Sequence, residues 1–494
     1  MIPQKPLSHL PTHEVINMPP HLGDQDFWLS DTALREGIER EGGSWAVPKL
    51  EAFGKIAGTV EVFEKADMAN RYPPEIRPFD RYGMRINQVE YHPTYHELMA
   101  LAIENEVPNF AWNHPQSGGQ VVHVALSYMF NQAEGGVMCP MAMTYASFPS
   151  LRGTPAVGDE WIPRLLSTEY DSRDIPVTGK KGATIGMFMT EKQGGSDVRS
   201  NTSSAKAIGN ATGQGCEYRL TGHKYFCSAP MSDAFLMLAN TEVGLSCFLV
   251  PRWSPDGERN SFFIQHLKNK LGNRSNASSE MEFLDAWGVM VGEEGRGVRT
   301  IIDMVQGNRF YCCASSTAMM MQGLVQALHH VTYRSAFRRK LMDQPLMRNV
   351  LADLAIEVEA ALVLTLRLAR ALDEAIAPAG ITNLSDPLTA TNNLPSHHAY
   401  QRLSRRQGGL PARINLMVRI PIRGMSAEEC IDLIDSLIYS PPYTNDFLRV
   451  GTFKMSLDKG VPGGEPYIVP KDRVIKVIVE SHRQGWQLYL HITN

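Results

Sequence analysis

The chain has 494 residues, 43% of them hydrophobic, which suits two to four globular domains and excludes a disordered chain. Its 48 Lys and Arg against 52 Asp and Glu leave a net charge of −4, so no bulk positive field favours nucleic acid or an anionic membrane. The seven cysteines (Cys139, Cys216, Cys227, Cys247, Cys312, Cys313 and Cys430) are odd in number and never spaced C-x-x-C. That pattern suggests neither a disulfide framework nor a zinc site and points to reduced, buried thiols.

The first twenty residues mix prolines, histidines and charges, unlike a secretory signal, and no run reaches the ~18 apolar residues of a membrane span. A soluble, cytoplasmic or other intracellular protein without membrane partners is expected. From Asp31 to Arg173 the apolar residues of LREGIEREG, LEAFGKIAGTVEVFEKADMA and YHELMALAIEN recur every three to four positions, predicting an N-terminal helical domain over 1–182. Around Ala183 the pattern turns to short alternating segments such as YRLTGHKYFCS and MEFLDAWGVMV, predicting a small β-domain over 183–292.

Helices return over 293–375. One runs from Val298 to Tyr333, and a second starts at Pro345, whose fixed φ suits a first helical position. In the second, Met347, Leu351, Leu354, Val358, Ala361, Thr365, Leu368 and Leu372 form a packing seam by spacing. Residues 376–398 read as a Pro/Gly/Asn/Ser/Thr-rich linker. Beyond it, over 399–494, Ile414 to Ile420, LRVGTFKMSL and WQLYLHI read as strands. A helix capped by Ser426 and Glu429 and a second, DRVIKVIVESHRQ, fall between them, giving a β-α-β-α-β order. Three such strands cannot close a barrel.

The most specific string is Met189-Thr190-Glu191-Lys192-Gln193-Gly194-Gly195-Ser196-Asp197-Val198. Paired glycines let backbone N–H groups approach a ligand, and flanking hydroxyls can bond a pyrophosphate or a ring carbonyl. Alone it reads equally as a polar turn. It is followed by Gly222-His223-Lys224-Tyr225-Phe226-Cys227-Ser228 and by Lys270-Leu271-Gly272-Asn273-Arg274-Ser275-Asn276-Ala277-Ser278.

These three strings, in a helix–β–helix layout, resemble the acyl-CoA dehydrogenases, and their wording is closest to the AidB-like branch. Cys139-Pro140 and Gln344-Pro345-Leu346-Met347-Arg348 extend the resemblance, which covers about Asp31 to Ala375. It implies a multidomain α+β fold: a helical domain, a small β-domain and a truncated helical bundle of acyl-CoA dehydrogenase type. It also implies FAD as cofactor, acyl-CoA as substrate and, where the bundle is completed, a homo-oligomer. Carried over, Met189 and Thr190 meet the flavin pyrimidine, and Gly195 and Ser196 meet the pyrophosphate. Phe226 supplies the aromatic face against the isoalloxazine, and Ser228 the hydroxyl toward N5. Arg334-Ser335-Ala336-Phe337-Arg338 matches an Arg-x-x-Phe-Gly turn that reaches a neighbouring subunit's FAD, through Arg334 and Phe337. The expected glycine is Arg338, which puts that contact in doubt; a solvated helix-end role for Arg334 stays open.

The family reaction needs a carboxylate base, in most members near a Trp-Glu-Gly-Ser-Gly-like string, and none follows Ala375. The alternative position, beside Arg309, holds Asn308, whose amide cannot act as a base. No catalytic residue is assigned. The expectation is therefore an oxidoreductase of weak or absent activity, or a non-catalytic flavin-binding protein. The same absence removes the family's basic C-terminal region, so nucleic acid is not an expected partner. The tail from about Ala399 resembles metal-dependent amidohydrolases of the imidazolonepropionase-like or YtcJ type. It implies a partial β/α-barrel-like fragment in which His491 matches a metal ligand. A lone histidine holds no catalytic metal, so none is expected; a remnant metal-dependent amidohydrolase acting on C–N bonds ranks last among the functional alternatives, and the chain reads as a junction of two incomplete families.

Overall fold

The computed structural model describes residues 7–379 and, beyond them, strands at 414–420, 443–444, 448–456 and 487–491. The chain divides into two units, Met1–Asn383 and Leu384–Asn494. The first opens with a small hairpin, β1 (His9–Leu10) and β2 (His13–Glu14), and helices α1 (Thr32–Arg40), α2 (Val47–Ala57) and α3 (Val60–Arg71). A second hairpin follows, β3 (Glu75–Phe79) and β4 (Arg85–Glu90), within a region read from the sequence as helical and loop-rich. Helices α4 (Pro93–Glu104), α5 (Phe110–Asn113), α6 (Gly119–Ala133), α7 (Met138–Arg152) and α8 (Pro155–Leu165) complete the helical part.

Local chemistry fixes these ends. The Asp31 carboxylate accepts from Leu34 N at 2.9 Å to start α1, and is held in turn by the Tyr128 hydroxyl of α6 at 2.8 Å. Pro93 opens α4 behind the His92 cap. Helix α6 is buried from Gly119 to Gln132 and forms the axis of the helical core.

The β-domain contains β5 (Ile185–Phe188), β6 (Ser204–Ala207), β7 (Glu217–Ser228), β8 (Ala234–Asn240), β9 (Leu245–Pro251), β10 (Phe262–Leu267) and β11 (Ser278–Val291). Their order is β10-β11-β7-β6-β8-β5, and β9 pairs with both β8 and β11, so β11, β7, β6, β8 and β9 close a ring. Closure removes edges from those strands. In β8, Ala234, Leu236 and Leu238 join the helical core, while Phe235, Met237 and Ala239 join the barrel core. The period-2 alternation of a strand thus cements the two layers together.

Helix α9 (Gly297–Tyr333) returns across α6 and α7, where Gly307 lets the backbones close: a Cβ there would sit 2.7 Å from Ala146 Cβ. A two-strand turn, β12 (Ser335–Ala336) and β13 (Arg339–Lys340), leads to α10 (Pro345–Ala379), which begins at the proline expected from the sequence. Thr317 and Thr365 join α9 to α10 at 3.1 Å, and Asp373 accepts from Gln120 N at 2.9 Å, capping α6 from α10. The expected seam of α10 needs correcting. Leu351, Val358 and Thr365 are buried, but Leu354 is 46% exposed, and Leu362, Leu366 and Ala369 form the rest of the buried face. The helix turns this face toward α1, α6 and α9, which shifts it off the spacing-derived stripe.

In the second unit, β14 (Ile414–Ile420) pairs in parallel with β16 (Leu448–Ser456), and β16 in parallel with β17 (Gln487–His491); β15 (Tyr443–Thr444) pairs antiparallel with β16. The three expected strands are present. The expected linker, the capping box at Ser426 and Glu429, and both tail helices lie outside the described residues.

Candidate functional site

The residues singled out at 189–196 and 226–228 converge where β5 runs out beside the end of β7. Tyr225 N donates to Thr190 O at 2.9 Å, Lys192 N to the His223 ring at 3.1 Å, and Asn201 Nδ2 to Met189 O at 2.9 Å. The glycine turn closes on itself through Gly194 N to Glu191 O at 3.0 Å, with Gly194 at φ +113. Gly195 lies directly over Thr190, since a Cβ there would come within 2.6 Å of Thr190 Cγ2. Ser196 is exposed at the outer end of the turn.

Beneath this surface lies a buried ion pair to which no role was assigned from sequence. Glu191 accepts from Lys224 Nζ at 2.8 Å, from Ser203 Oγ at 2.6 Å and N at 3.1 Å, and from Thr202 N at 2.7 Å. Both charged side chains are 0% exposed. Burial works to raise the Glu191 pKa, but the bonds from Lys224, Ser203 and Thr202 together outweigh it and hold the carboxyl at about 2. A carboxylate and a lysine in the two motif strings were the available signal, but nothing in their spacing showed that they meet.

On β7, Phe226 is 56% exposed, with its ring edge-on to Tyr225 at 4.8 Å. Lys268 Nζ lies 4.8 Å from the Phe226 centroid and 3.2 Å from that of Tyr225, while bonding Glu280 at 2.6 Å. Ser228 Oγ lies 3.1 Å from Ser278 Oγ on β11. The Cys139 thiol of α7 approaches Ser228 and Asn276, and burial pushes it up despite those contacts, so it stays neutral. Two buried polar atoms of this region have no protein partner, Thr190 Oγ1 and Asn276 Oδ1. A half-exposed aromatic ring, paired glycines and unpartnered acceptors together fit a flat heterocycle with hydrogen-bonding edges.

Arg334 and Phe337 are not joined to this cluster. Arg334 donates to Asn17 O at 3.1 Å, and Phe337 is 95% exposed at the tip of the β12–β13 turn. Phe337 and Arg338 have φ of 52° and 61°, so the position where a glycine was expected does take up the left-handed conformation that glycine favours. Asn308 Nδ2 donates to Met304 O at 2.9 Å, back along its own helix. Among the described residues no three metal-ligating side chains cluster, and no helix is long and apolar enough to cross a membrane. Cys139, Cys216, Cys227, Cys247 and Cys312 form no disulfide, while Cys430 lies outside the described residues.

The family model of the adaptive response protein AidB N-terminal domain matches residues 17–172, that of the acyl-CoA dehydrogenase middle domain 186–286, and that of the acyl-CoA dehydrogenase C-terminal domain 295–386. The putative acyl-CoA dehydrogenase AidB of Escherichia coli (strain K12) is 45% identical over 367 residues, 74% of this chain and 67% of that protein. The chain belongs to the acyl-CoA dehydrogenase family.

Acyl-CoA dehydrogenases are FAD-dependent flavoproteins, and the acyl-CoA dehydrogenase family member 11 of Caenorhabditis elegans is 28% identical over 70% of this chain and 56% of its own length. The chain therefore spans about two thirds of the AidB relative and a little over half of the worm protein. Among solved structures, Bd2924 in its apo-form aligns with a TM-score of 0.66 at 26% identity, covering 72% of each chain. Caenorhabditis elegans ACDH-11 in complex with C11-CoA aligns at 0.68 and 24% identity over 87% of this chain and 70% of that one, a likeness of fold. The family-model matches end at residue 386, before the strands of the second unit.

Proposed function

We propose that the β5–β7 surface binds FAD and presents it to an acyl thioester, as in an AidB-like oxidoreductase. The observation that carries this is the junction of three separate strings at one place: Thr190 bonded to Tyr225, Phe226 turned outward beside it, and Ser228 Oγ 3.1 Å from Ser278 Oγ. In this reading Met189 and Thr190 bond the pyrimidine edge, the Gly195–Ser196 turn receives the pyrophosphate, Phe226 backs the ring system, and the Ser228 hydroxyl serves N5. The chemistry FAD supplies when bound is acceptance of a hydride. Arg334 and Phe337 would act on the cofactor of a neighbouring copy, a role for which the exposed turn is available. An acyl-CoA as substrate agrees with the C11-CoA held by ACDH-11.

A second reading, flavin binding without turnover, has its own support. Around the site Glu191 is held by Lys224, Glu280 by Lys268, and Glu134 by Ser275 and Asn70, while Asn308 is an amide. None of these is an uncommitted base. A metal-dependent hydrolase is not proposed: its support is one strand-end histidine, His491, where a catalytic metal takes about three protein ligands. The deciding experiment is a visible-absorption titration of the full chain with FAD, repeated for Thr190→Val, followed by anaerobic addition of an acyl-CoA. Stoichiometric flavin bands weakened by Thr190→Val establish the binding site, and bleaching by the acyl-CoA decides for the enzyme. A chain that takes up no FAD refutes both readings.

A further inference from the structure

A cavity of about 370 Å³ lies behind this surface, bounded by β4, α4, α7, the segment after α8 and the turn joining β7 to β8. That is at the small end of ligand pockets, which run from about 300 to 1,000 Å³. Most of its charged lining residues are held in ion pairs. Lys180 pairs with Asp233 at 2.8 Å, Arg173 with Asp171 at 2.6 Å, and Asp174 with Arg252 at 3.0 Å. Arg164, in the last turn of α8, donates to the carbonyls of Glu160, Thr178 and Lys180. Glu90 and Glu169, which also line the cavity, pair with Arg77 and Lys181, so among the lining charges Arg164 alone has carbonyl partners in place of a countercharge.

Four rings stand among the aliphatic side chains Val89, Met99, Ile103, Leu165 and Met231 in the rest of the wall. Tyr91 stacks on Tyr95 at 4.1 Å between centroids, and the His96 ring lies nearly parallel to Tyr170 at 6.0 Å while its Nδ1 is 2.8 Å from the Tyr170 hydroxyl. Burial lowers the His96 pKa, so this pair is neutral near pH 7. Two lining hydroxyls, Tyr91 Oη and Ser232 Oγ, are buried without a hydrogen bond of good geometry, Tyr91 Oη having only the Ala277 N–H and the Tyr95 hydroxyl near it. A buried polar group left unpaired is destabilising, so each hydroxyl favours a bound partner. The turn carrying Ser232 is strained as well: Ala229 holds φ at +52°, fixed by its N–H to Ala277 O at 2.9 Å.

We propose that this cavity binds an uncharged, planar molecule of one or two rings, packed against the Tyr91–Tyr95 stack and Tyr170 and hydrogen-bonded at its edge by Tyr91 Oη and Ser232 Oγ. A phosphate would meet the carboxylates of Asp171, Asp174 and Asp233, whose cations are already engaged. An alkyl chain would leave both hydroxyls unpaired. Because Ser232 lies four residues after Ser228, occupancy would bear on the strand end that carries the flavin-facing hydroxyl.

The test uses the intact chain, with and without FAD, and indole as the neutral probe against indole-3-acetate and tryptamine, with affinities from ligand-observed NMR. Tyr91→Phe and Ser232→Ala each delete one hydroxyl and little else, and circular dichroism checks their folds. Saturable one-to-one binding of indole is expected. Each deletion should weaken it about two- to tenfold, the range of one hydrogen bond, and the charged probes should bind at least about tenfold more weakly. The proposal is overturned if indole does not saturate, if folded Tyr91→Phe and Ser232→Ala bind it as well as the parent, or if a charged probe binds equally. It is overturned too if the unliganded cavity is simply filled by water and indole cannot displace it.

Discussion

Replacing Lys224 with methionine removes the cation from a pair whose two side chains are fully buried, while keeping the length of the apolar stem. Breaking a buried pair from one side costs about 3–5 kcal/mol, because the remaining charge is left without its partner. Glu191 would still accept from the backbone and hydroxyls of Thr202 and Ser203, so the low end, about 3 kcal/mol, is expected. With an unfolding entropy of about 2.1 cal/mol/K per residue over Met1–Asn383, that is a fall of about 4 °C in the unfolding midpoint. The sign of the pH dependence follows from the depressed Glu191 carboxyl. Its contribution is complete above the ordinary value of 4.5 and is lost as pH falls through about 2. In Lys224→Met the carboxyl should titrate higher, so the deficit should narrow below about pH 5, where protonation relieves the stranded charge. Calorimetry of the parent, Lys224→Met, Glu191→Gln and the double variant measures the coupling directly. A midpoint shift under about 1 °C, or strictly additive single losses, would refute the reasoning.

Phe226→Ala should leave stability within about 1 kcal/mol, because the ring is already half exposed, yet weaken FAD about tenfold by removing the face behind the flavin; absorbance titration and thermal melts separate the two. Arg338→Gly should raise stability by about 0.5–1 kcal/mol, since φ of +61° is unstrained for glycine; chemical denaturation reads the change, and a loss would contradict the left-handed assignment. His123 is stacked on Tyr145 at 4.2 Å with both ring nitrogens buried and unpartnered, and burial lowers its pKa to about 3. Its neutral form thus supports the fold above about pH 6.5, and that support is lost as pH falls toward 3. His123→Phe should keep the stack, add about 1 kcal/mol, and flatten the acid limb of the stability profile; an unchanged slope between pH 6.5 and 4 would show that His123 is hydrated.

Within the first unit, much of the secondary structure was legible because it depends on local rules. Pro345 opens α10 as its fixed φ requires, and the strand alternation of YRLTGHKYFCS reappears as the buried and exposed positions of β7. The flavin strings were legible as chemistry, since hydroxyls, paired glycines and an aromatic are visible residue by residue. Position was less so. Leu354 and Leu366 are both apolar residues of one amphipathic helix, and only the approach of α1, α6 and α9 decided that Leu366 is buried and Leu354 is not.

The sequence by itself determined the family and the order of helical and β layers. Tertiary structure decided the barrel closure through β9, the Glu191–Lys224 pair across thirty-three residues, and the cavity that leaves Tyr91 and Ser232 without a hydrogen bond of good geometry. The physical reason is one of range. Periodicity and capping act within a few residues, whereas desolvation and pairing depend on which distant segment the fold places opposite each group.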